Sequence, residues 1–239
     1  MRIGLSIVGP LGRVMREAEA IIDNVHSIWE LNKKTYPAGY AVFYSVPRST
    51  PDLMLVGLNP GGGPECFHGE KEWLMPPEQP MEYVECQHDR SYPLAGKTVA
   101  LFRSIGMLPA LTTSLKTNLN FFRSRNWGSL PQQHAETCLT LVLRMIEVFG
   151  PKVVLCESIL VFDRLYGRMK EKYPLPVHKL GKRGRRIYTS VWGESSRRPV
   201  LLAAITHLTG SRPTSNDLDR IKQSLRDDLV RAFTPGSCH

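Results

Sequence analysis

The segment from Leu53 to Gly63 (Leu-Met-Leu-Val-Gly-Leu-Asn-Pro-Gly-Gly-Gly) constrains the fold of this chain more than any other. Its first five residues, Leu53 to Gly57, are apolar and uncharged, which is typical of a strand buried on both faces of a sheet. The proline and three glycines that follow allow a sharp turn and a close approach of another group to the backbone. Asn59 is therefore predicted at the carboxyl end of a buried strand, where open α/β sheets bind ligands. A tight connection without chemistry is the alternative.

Further predicted strands alternate along the chain with segments of helical periodicity. Strands are predicted at the start of 114–125, where a polar loop follows the strand, at 152–156 and at 200–205. A short strand is predicted at 41–44 and an extended segment at 187–192. Helices are predicted at 13–34, 96–107, 132–149, 158–172 and 216–233, the last of them capped by Ser215 or Asn216. This alternation predicts a three-layer α/β/α sandwich with a short, mostly parallel four-stranded central sheet.

The length of 239 residues suits one domain covering the whole chain, 1–239. Residues 61–96 contain five prolines and no clear periodicity, so we expect a long loop or insertion there. Two Cys-x-His pairs lie within it, Cys66 with His68 and Cys86 with His88. These four side chains are suitable zinc ligands, but their one-residue spacing is unusual, and ordinary thiols and surface histidines are the alternative.

The charge, the cysteine content and the hydropathy of the chain indicate which partners and which cellular compartment it suits. The formal net charge is +9, which suits a polyanion such as nucleic acid. Five irregularly spaced cysteines favour a reducing, cytoplasmic compartment over a disulfide framework. No run of 18 apolar residues occurs, so no membrane span or membrane partner is expected.

A basic, glycine-containing turn precedes the extended segment at 187–192. Lys182, Arg183 and Arg185 are its central cations. A flexible basic loop contacts phosphates without sequence specificity, so these residues are candidates for DNA binding. A solvated charged turn is the alternative.

Polar residues follow three of the predicted buried strands: Asn59, the pair Asn118 and Asn120, and His207. Because the carboxyl ends of parallel strands lie at one edge of a sheet, these side chains are expected to converge on one crevice. This convergence is the first indication of a functional site.

Three patches in this order resemble the motifs of the uracil-DNA glycosylase superfamily. They are Gly57-Leu-Asn-Pro-Gly61, Asn118-Leu-Asn-Phe-Phe and His207-Leu-Thr-Gly-Ser-Arg212. The first is similar to the Gly-x-Asn-Pro-Gly motif of the mismatch-specific and single-strand-selective branches, and the last to the His-Pro-Ser motif. The resemblance covers about residues 50–215 and implies hydrolysis of the N-glycosidic bond of a base that leaves the DNA stack.

The resemblance also implies roles for individual residues. Asn59 would position the attacking water, and His207 would donate a hydrogen bond to the departing base. Asn118 would meet the pairing edge of the base, and Phe67 or Trp73 would stack on it. The remaining implied contacts are the pocket wall at Gly57, Leu58, Pro60 and Gly61, and the DNA contacts of Ser211 and Arg212.

The chain departs from the family in two places. Leu208 and Thr209 replace the proline and serine after His207, and three glycines, 61–63, stand where the uracil-specific branch has a bulky aromatic residue. The glycines imply a pocket that is roomy at C5 of the pyrimidine. A modified base such as 5-hydroxymethylcytosine or its glucosylated form then becomes a candidate substrate, which would imply defence against phage.

The expected protein is thus a monofunctional DNA glycosylase, a monomer that acts on DNA containing uracil or a C5-modified pyrimidine. The cysteine pattern of the iron–sulfur branches is absent, so neither a cluster nor another cofactor is expected, and no metal. No lysine near the motifs is expected to act as a Schiff-base nucleophile. The alternatives are a non-catalytic nucleic-acid-binding protein of the same fold and an unrelated α/β hydrolase.

Overall fold

The computed structural model of the protein describes residues 10–60, 81–123, 131–172, 177–182, 185–194, 199–209 and 213–234. The strands are β1 (Leu53–Gly57), β2 (Leu115–Asn118), β3 (Val153–Cys156), β4 (His178–Lys182), β5 (Arg185–Glu194) and β6 (Pro199–Ile205). The helices are α1 (Pro10–Leu31), α2 (Glu82–Glu85), α3 (Pro93–Ser104), α4 (Leu108–Thr112), α5 (Gln132–Phe149), α6 (Ile159–Met169) and α7 (Ser215–Phe233).

One mixed sheet contains all six of these strands in the order β2-β1-β3-β6-β5-β4. Strands β2, β1, β3 and β6 are parallel to one another. Strand β5 runs antiparallel to β6, and β4 runs antiparallel to β5. Strands β1, β2 and β3 are buried at every position, as expected for parallel strands covered on both faces.

The prediction of four strands is wrong, because residues 178–194 add an antiparallel hairpin to the parallel sheet. The extended segment predicted at 187–192 is part of β5. Strand β4 has the sequence His-Lys-Leu-Gly-Lys and lies at the sheet edge, where His178 and Lys179 are exposed. Charged residues on an edge strand discourage pairing with another chain, and they also remove the apolar pattern that identifies a strand.

Two hydrophobic cores lie on opposite faces of the sheet. Met54 and Val56 belong to the core that contains the buried residues of α1, α5 and α6. Leu53 and Leu55 alternate with them and belong to the core that contains those of α3 and α7. Helices therefore pack on both faces, an arrangement compatible with a three-layer α/β/α fold.

Most helices lie where their periodicity predicts them, and α5 has the predicted bounds. Gly150 ends α5 in the left-handed conformation, with φ 56°, which glycine adopts without steric cost. The predicted cap of α7 is wrong: Thr214 caps it, in a reciprocal pair with Asp217. Among the described residues, no helix is long and apolar enough to cross a membrane.

Two irregular regions differ from their predictions. The strand expected at 41–44 consists only of isolated bridges, from Tyr40 to Phe122 and from Phe43 to Thr117. The described part of the 61–96 segment is not a plain loop, since it contains α2 and the start of α3. These short elements place Glu82, Tyr83 and Tyr92 against the end of the sheet that holds the candidate site.

Candidate active site

The carboxyl ends of the four parallel strands open into one pocket of about 640 Å³. The register pairs Gly57 with Asn118, and Val56 with Cys156, so the residues that follow β1 and β3 lie at the same edge. The pocket is lined by Tyr44, Gly57, Leu58, Asn59, Glu82, Tyr83, Asp89, Ser91, Tyr92, Pro93, Leu94, Lys116, Asn118, Arg123, Glu157, His207 and Thr209. The structure thus brings together the three strand-end residues Asn59, Asn118 and His207, which the sequence predicted to converge.

Asn59 lies at the pocket wall, two residues after β1, and is partly buried. Its Nδ2 donates to the carbonyl oxygen of Pro60 over 3.3 Å, a contact that restricts the rotation of the amide. Pro60 is buried and does not line the pocket, so it is not placed to contact a base as predicted. Its role is confined to the turn that follows β1. An amide cannot ionise, and therefore Asn59 can orient a water but cannot serve as a strong base.

His207 lies two residues after β6, lines the same pocket and is partly buried. Burial, and then the positive charge of Lys97, lower the pKa of His207 below its ordinary value. The imidazole is therefore neutral near pH 7. Its Nδ1 lies 3.1 Å from the hydroxyl oxygen of Thr209, and where that hydroxyl donates, the proton of the neutral ring is on Nε2. The contact with Thr209 thus restricts the orientation of the His207 ring.

Asn118 ends β2 and is 4% exposed, with its amide oxygen directed at Gly57. A Cβ atom built on Gly57 would lie 2.2 Å from Asn118 Oδ1 and 3.0 Å from Glu157 Oε2. Glycine is therefore required at position 57 by the close approach of two polar side chains. We call this part of the pocket, made of Asn118 Oδ1, Glu157 Oε2 and the backbone of Gly57, the pocket floor.

Replacing Gly57 by alanine is expected to lower any activity of this pocket at least tenfold while the protein stays folded. The added methyl group must displace the amide of Asn118, because a 2.2 Å contact cannot persist. Turnover and the thermal unfolding midpoint are the measurements. Gly167→Ala is the matched control, because no atom lies within 4 Å of the Cβ position in α6, and activity there should not change. Wild-type turnover in Gly57→Ala would contradict this account of the floor.

Glu157 is a pocket residue that the sequence interpretation missed. It follows β3 directly, is 5% exposed, and its backbone N–H donates to the carbonyl of Val56 over 3.0 Å. Burial raises the pKa of its carboxyl group above the ordinary value, although Lys116 and a hydrogen bond from Tyr83 oppose this change. The signal was present in the sequence: the rule that singled out Asn59, a polar residue after a buried strand, applies equally to Glu157.

Lys116 is a second pocket residue that the sequence interpretation did not single out. Its side chain is 2% exposed, and its Nζ lies 2.8 Å from Glu82 Oε2. The ammonium also lies 4.0 Å from the ring centroid of Tyr44 and 4.3 Å from that of Tyr83. Lys116 thus lines the pocket, with its ammonium held by one carboxylate and two aromatic rings.

Asn120, the other asparagine of the second motif, has a structural role. Its Oδ1 accepts from the backbone N–H of Phe122, and its Nδ2 donates to the carbonyl of the same residue, both over 2.9 Å. It is fully buried and does not line the pocket. Of the two motif asparagines, therefore, only Asn118 is placed to contact a ligand.

The basic hairpin lies at the same end of the sheet as the pocket. Tyr188 pairs with Ile205 at the carboxyl end of β6, and Lys182 pairs with Arg185 beyond that point. The backbone of Lys182 and Arg185 is thus placed at this end, on the first and second strands beyond β6: Arg185 on β5 and Lys182 on β4. Arg186 is committed elsewhere, since its guanidinium forms two hydrogen bonds with Asp163 of α6.

Several predicted site residues lie outside the described residues, so their placement stays a prediction. They are Gly61, Phe67, Trp73, Arg183, Ser211 and Arg212, together with Cys66 and His68 of the zinc hypothesis. In the part of the chain that the structure describes, no group of three or more His, Cys, Asp or Glu side chains could hold a metal ion. Cys86 and His88 are described, and burial raises the pKa of the Cys86 thiol, which disfavours the thiolate that zinc prefers.

The order of the three motifs along the chain and the convergence of Asn59, Asn118 and His207 on one pocket are the observations that bear on function. The lining includes polar and charged side chains from several elements, among them Glu82 of the short helix α2, Lys116 of β2 and Glu157 after β3. A scan against protein-family models and a search of curated proteins found no match for this chain.

Proposed function

We propose that this protein is a monofunctional DNA glycosylase, which hydrolyses the N-glycosidic bond of a flipped-out uracil or C5-modified pyrimidine and leaves an abasic site. The observation that carries the proposal is the meeting of Asn59, Asn118 and His207 in one pocket at the carboxyl ends of parallel strands. All three belong to motifs that resemble those of one glycosylase superfamily. A volume of about 640 Å³ lies within the range of small-ligand pockets and accommodates one everted nucleotide.

The chemistry follows from the placement of the side chains. Asn59 orients a water toward C1′ of the sugar, the C1′–N bond breaks, and its electron pair goes to the departing base. The water oxygen bonds to C1′ and releases its proton to solvent or to the departing base. The neutral imidazole of His207 donates a hydrogen bond to the oxygen on which the negative charge develops. Because the base must leave the stack to reach this pocket, the reaction includes base flipping.

The distribution of positive charge supports DNA as the substrate. The chain carries a formal charge of +9, and the basic hairpin lies at the same end of the sheet as the pocket. Cations there would contact phosphates beside the flipped nucleotide and position the duplex without reading its sequence. Binding should therefore weaken steeply with salt concentration.

The experiment is an excision assay with oligonucleotides that each carry one test base. The panel contains uracil, 5-hydroxymethylcytosine and glucosylated 5-hydroxymethylcytosine, in single and double strands, and alkali converts abasic sites into strand breaks. Strand breaks after alkali treatment are expected for at least one base. Breaks without alkali, or a covalent complex trapped by borohydride at Lys116, would contradict the monofunctional mechanism.

The panel also separates the alternatives. Excision of a 5-hydroxymethylated or glucosylated base in preference to uracil would support a role in defence against phage with modified DNA. Retained DNA binding with no product from any base would refute the glycosylase proposal and favour a non-catalytic DNA-binding protein. A non-catalytic protein is an alternative because Asn59 carries an amide, which activates water less well than a carboxylate does.

A further inference from the structure

The carboxyl group of Glu157 is buried in the pocket floor and has unused hydrogen-bonding capacity. The residue is 5% exposed, and within the described residues its Oε1 has no hydrogen-bond partner. A buried polar atom without a partner is costly, so a pocket residue that carries one is a candidate for contact with a ligand. The proposed hydrolysis does not use this group, because Asn59 and His207 provide the water and the donor.

The neighbours of Glu157 fix its carboxyl group at the base-contacting end of the pocket. Its Oε2 and the Oδ1 of Asn118 both approach the Cβ position of Gly57, at 3.0 Å and 2.2 Å. The two oxygens therefore face the same space above a bare backbone. The other charged or titratable groups that influence Glu157 are Lys116, Glu82, Tyr83, Tyr92, Tyr44 and Cys156. Of these, Lys116 is paired with Glu82, and the charges of the two act on the pKa of Glu157 in opposite directions.

We propose that Glu157 and Asn118 together recognise the amino group at position 4 of the flipped base, so that the substrate class is a cytosine-type pyrimidine. This inference rests on the proposed glycosylase function and names its substrate class. An exocyclic amino group has two N–H donors, and the floor offers an acceptor for each of them, on Asn118 and on Glu157. The ring nitrogen N3, which lies beside the amino group, can accept a hydrogen bond from Glu157 when the carboxyl group is neutral.

A 4-oxo pyrimidine such as uracil fits this floor less well. Its O4 is an acceptor and would face the acceptor oxygens of Asn118 and Glu157. Only the protonated form of Glu157 can donate to O4, whereas both forms can accept from an amino group. A cytosine-type base is therefore compatible with both the neutral and the ionised carboxyl group of Glu157. A uracil-type base is compatible with the neutral form alone.

The test compares bases that differ only at position 4. Single-turnover excision rates are measured for two matched pairs in one sequence context: cytosine with uracil, and 5-hydroxymethylcytosine with 5-hydroxymethyluracil. The wild-type protein is expected to favour the amino member of at least one pair by roughly tenfold or more. In Glu157→Gln this preference should shrink by roughly tenfold, because the glutamine amide can turn its NH₂ group toward O4. Loss of a purely structural contact would instead slow both members of a pair equally.

The outcomes separate this inference from the glycosylase proposal. Preference for the oxo member of both pairs, or an unchanged ratio in Glu157→Gln, would overturn the role of Glu157 and leave the glycosylase intact. Absence of product from all four bases would overturn both. If Glu157→Gln does not fold, as judged by its thermal unfolding transition, the wild-type ratios alone still decide.

Discussion

Replacing His207 by alanine is expected to lower the rate of excision by roughly 10²–10³-fold, while the affinity for DNA changes little. The imidazole is a preorganised donor at the pocket wall, kept neutral by burial and oriented through Thr209. Its hydrogen bond matters most when negative charge develops on the departing base, so the loss should appear in turnover rather than in binding. Asn59→Ala should have an effect of about 10²-fold or more, because the attacking water loses its orientation.

Single-turnover kinetics and a fluorescence binding titration are the measurements for this pair of variants. Matched controls are available elsewhere in the chain: His178→Ala on the exposed edge strand and Asn24→Ala on the exposed face of α1. Both controls should retain the wild-type excision rate. Full activity in His207→Ala and Asn59→Ala would remove the catalytic assignment, whatever the fate of the DNA-binding proposal.

The second large effect is expected on stability, at the ion pair of Lys116 and Glu82 in the pocket lining, where the side chains are 2% and 23% exposed. Glu82→Ala should lower the free energy of unfolding by about 3 kcal/mol, because it leaves the ammonium of Lys116 buried without its carboxylate. The two tyrosine rings and the nearby carboxyl group of Glu157 still attract the ammonium, which places the expected loss at the lower end for buried pairs. Urea denaturation with an unchanged m-value is the measurement.

A surface ion pair provides the control. Lys152 and Asp52 are 2.8 Å apart, and their side chains are 34% and 51% exposed. Asp52→Ala should therefore cost no more than about 1 kcal/mol. The double variant Glu82→Gln with Lys116→Met should recover much of the lost stability, since it removes the buried charge altogether. Equal and small effects of Glu82→Ala and Asp52→Ala would show that the buried pair is not critical for folding.

The helices and the parallel strands follow from local patterns that the sequence displays openly. Strand β1 and helix α5 have their predicted bounds because a continuous apolar run and a 3.6-residue period each identify one kind of element. Gly150 ends α5 for a similarly local reason, since only the backbone geometry of this residue is involved. Strand β4 was missed because an edge strand with exposed charges has neither pattern.

The sequence also predicted the part of the candidate site that lies at strand ends. Asn59 and His207 were found because each follows an apolar run, and Asn118 because it belongs to the predicted second strand. The shared edge of parallel strands brings such strand-end residues together. Glu157 obeys the same rule and was accessible to it. Its importance depends on burial and on a missing partner for Oε1, which only coordinates reveal.

By itself, the sequence determined the alternation of strands and helices, the crevice at the carboxyl ends of the parallel strands and three polar residues beside it. These depend on hydrophobic period and chain direction, which are local properties of the chain. Only the tertiary structure decided which further groups enter the pocket: Lys116 with its partner Glu82, and Glu157 against Asn118. Their proximity arises from the register of neighbouring strands and from the packing of α2, which involve residues far apart in the sequence.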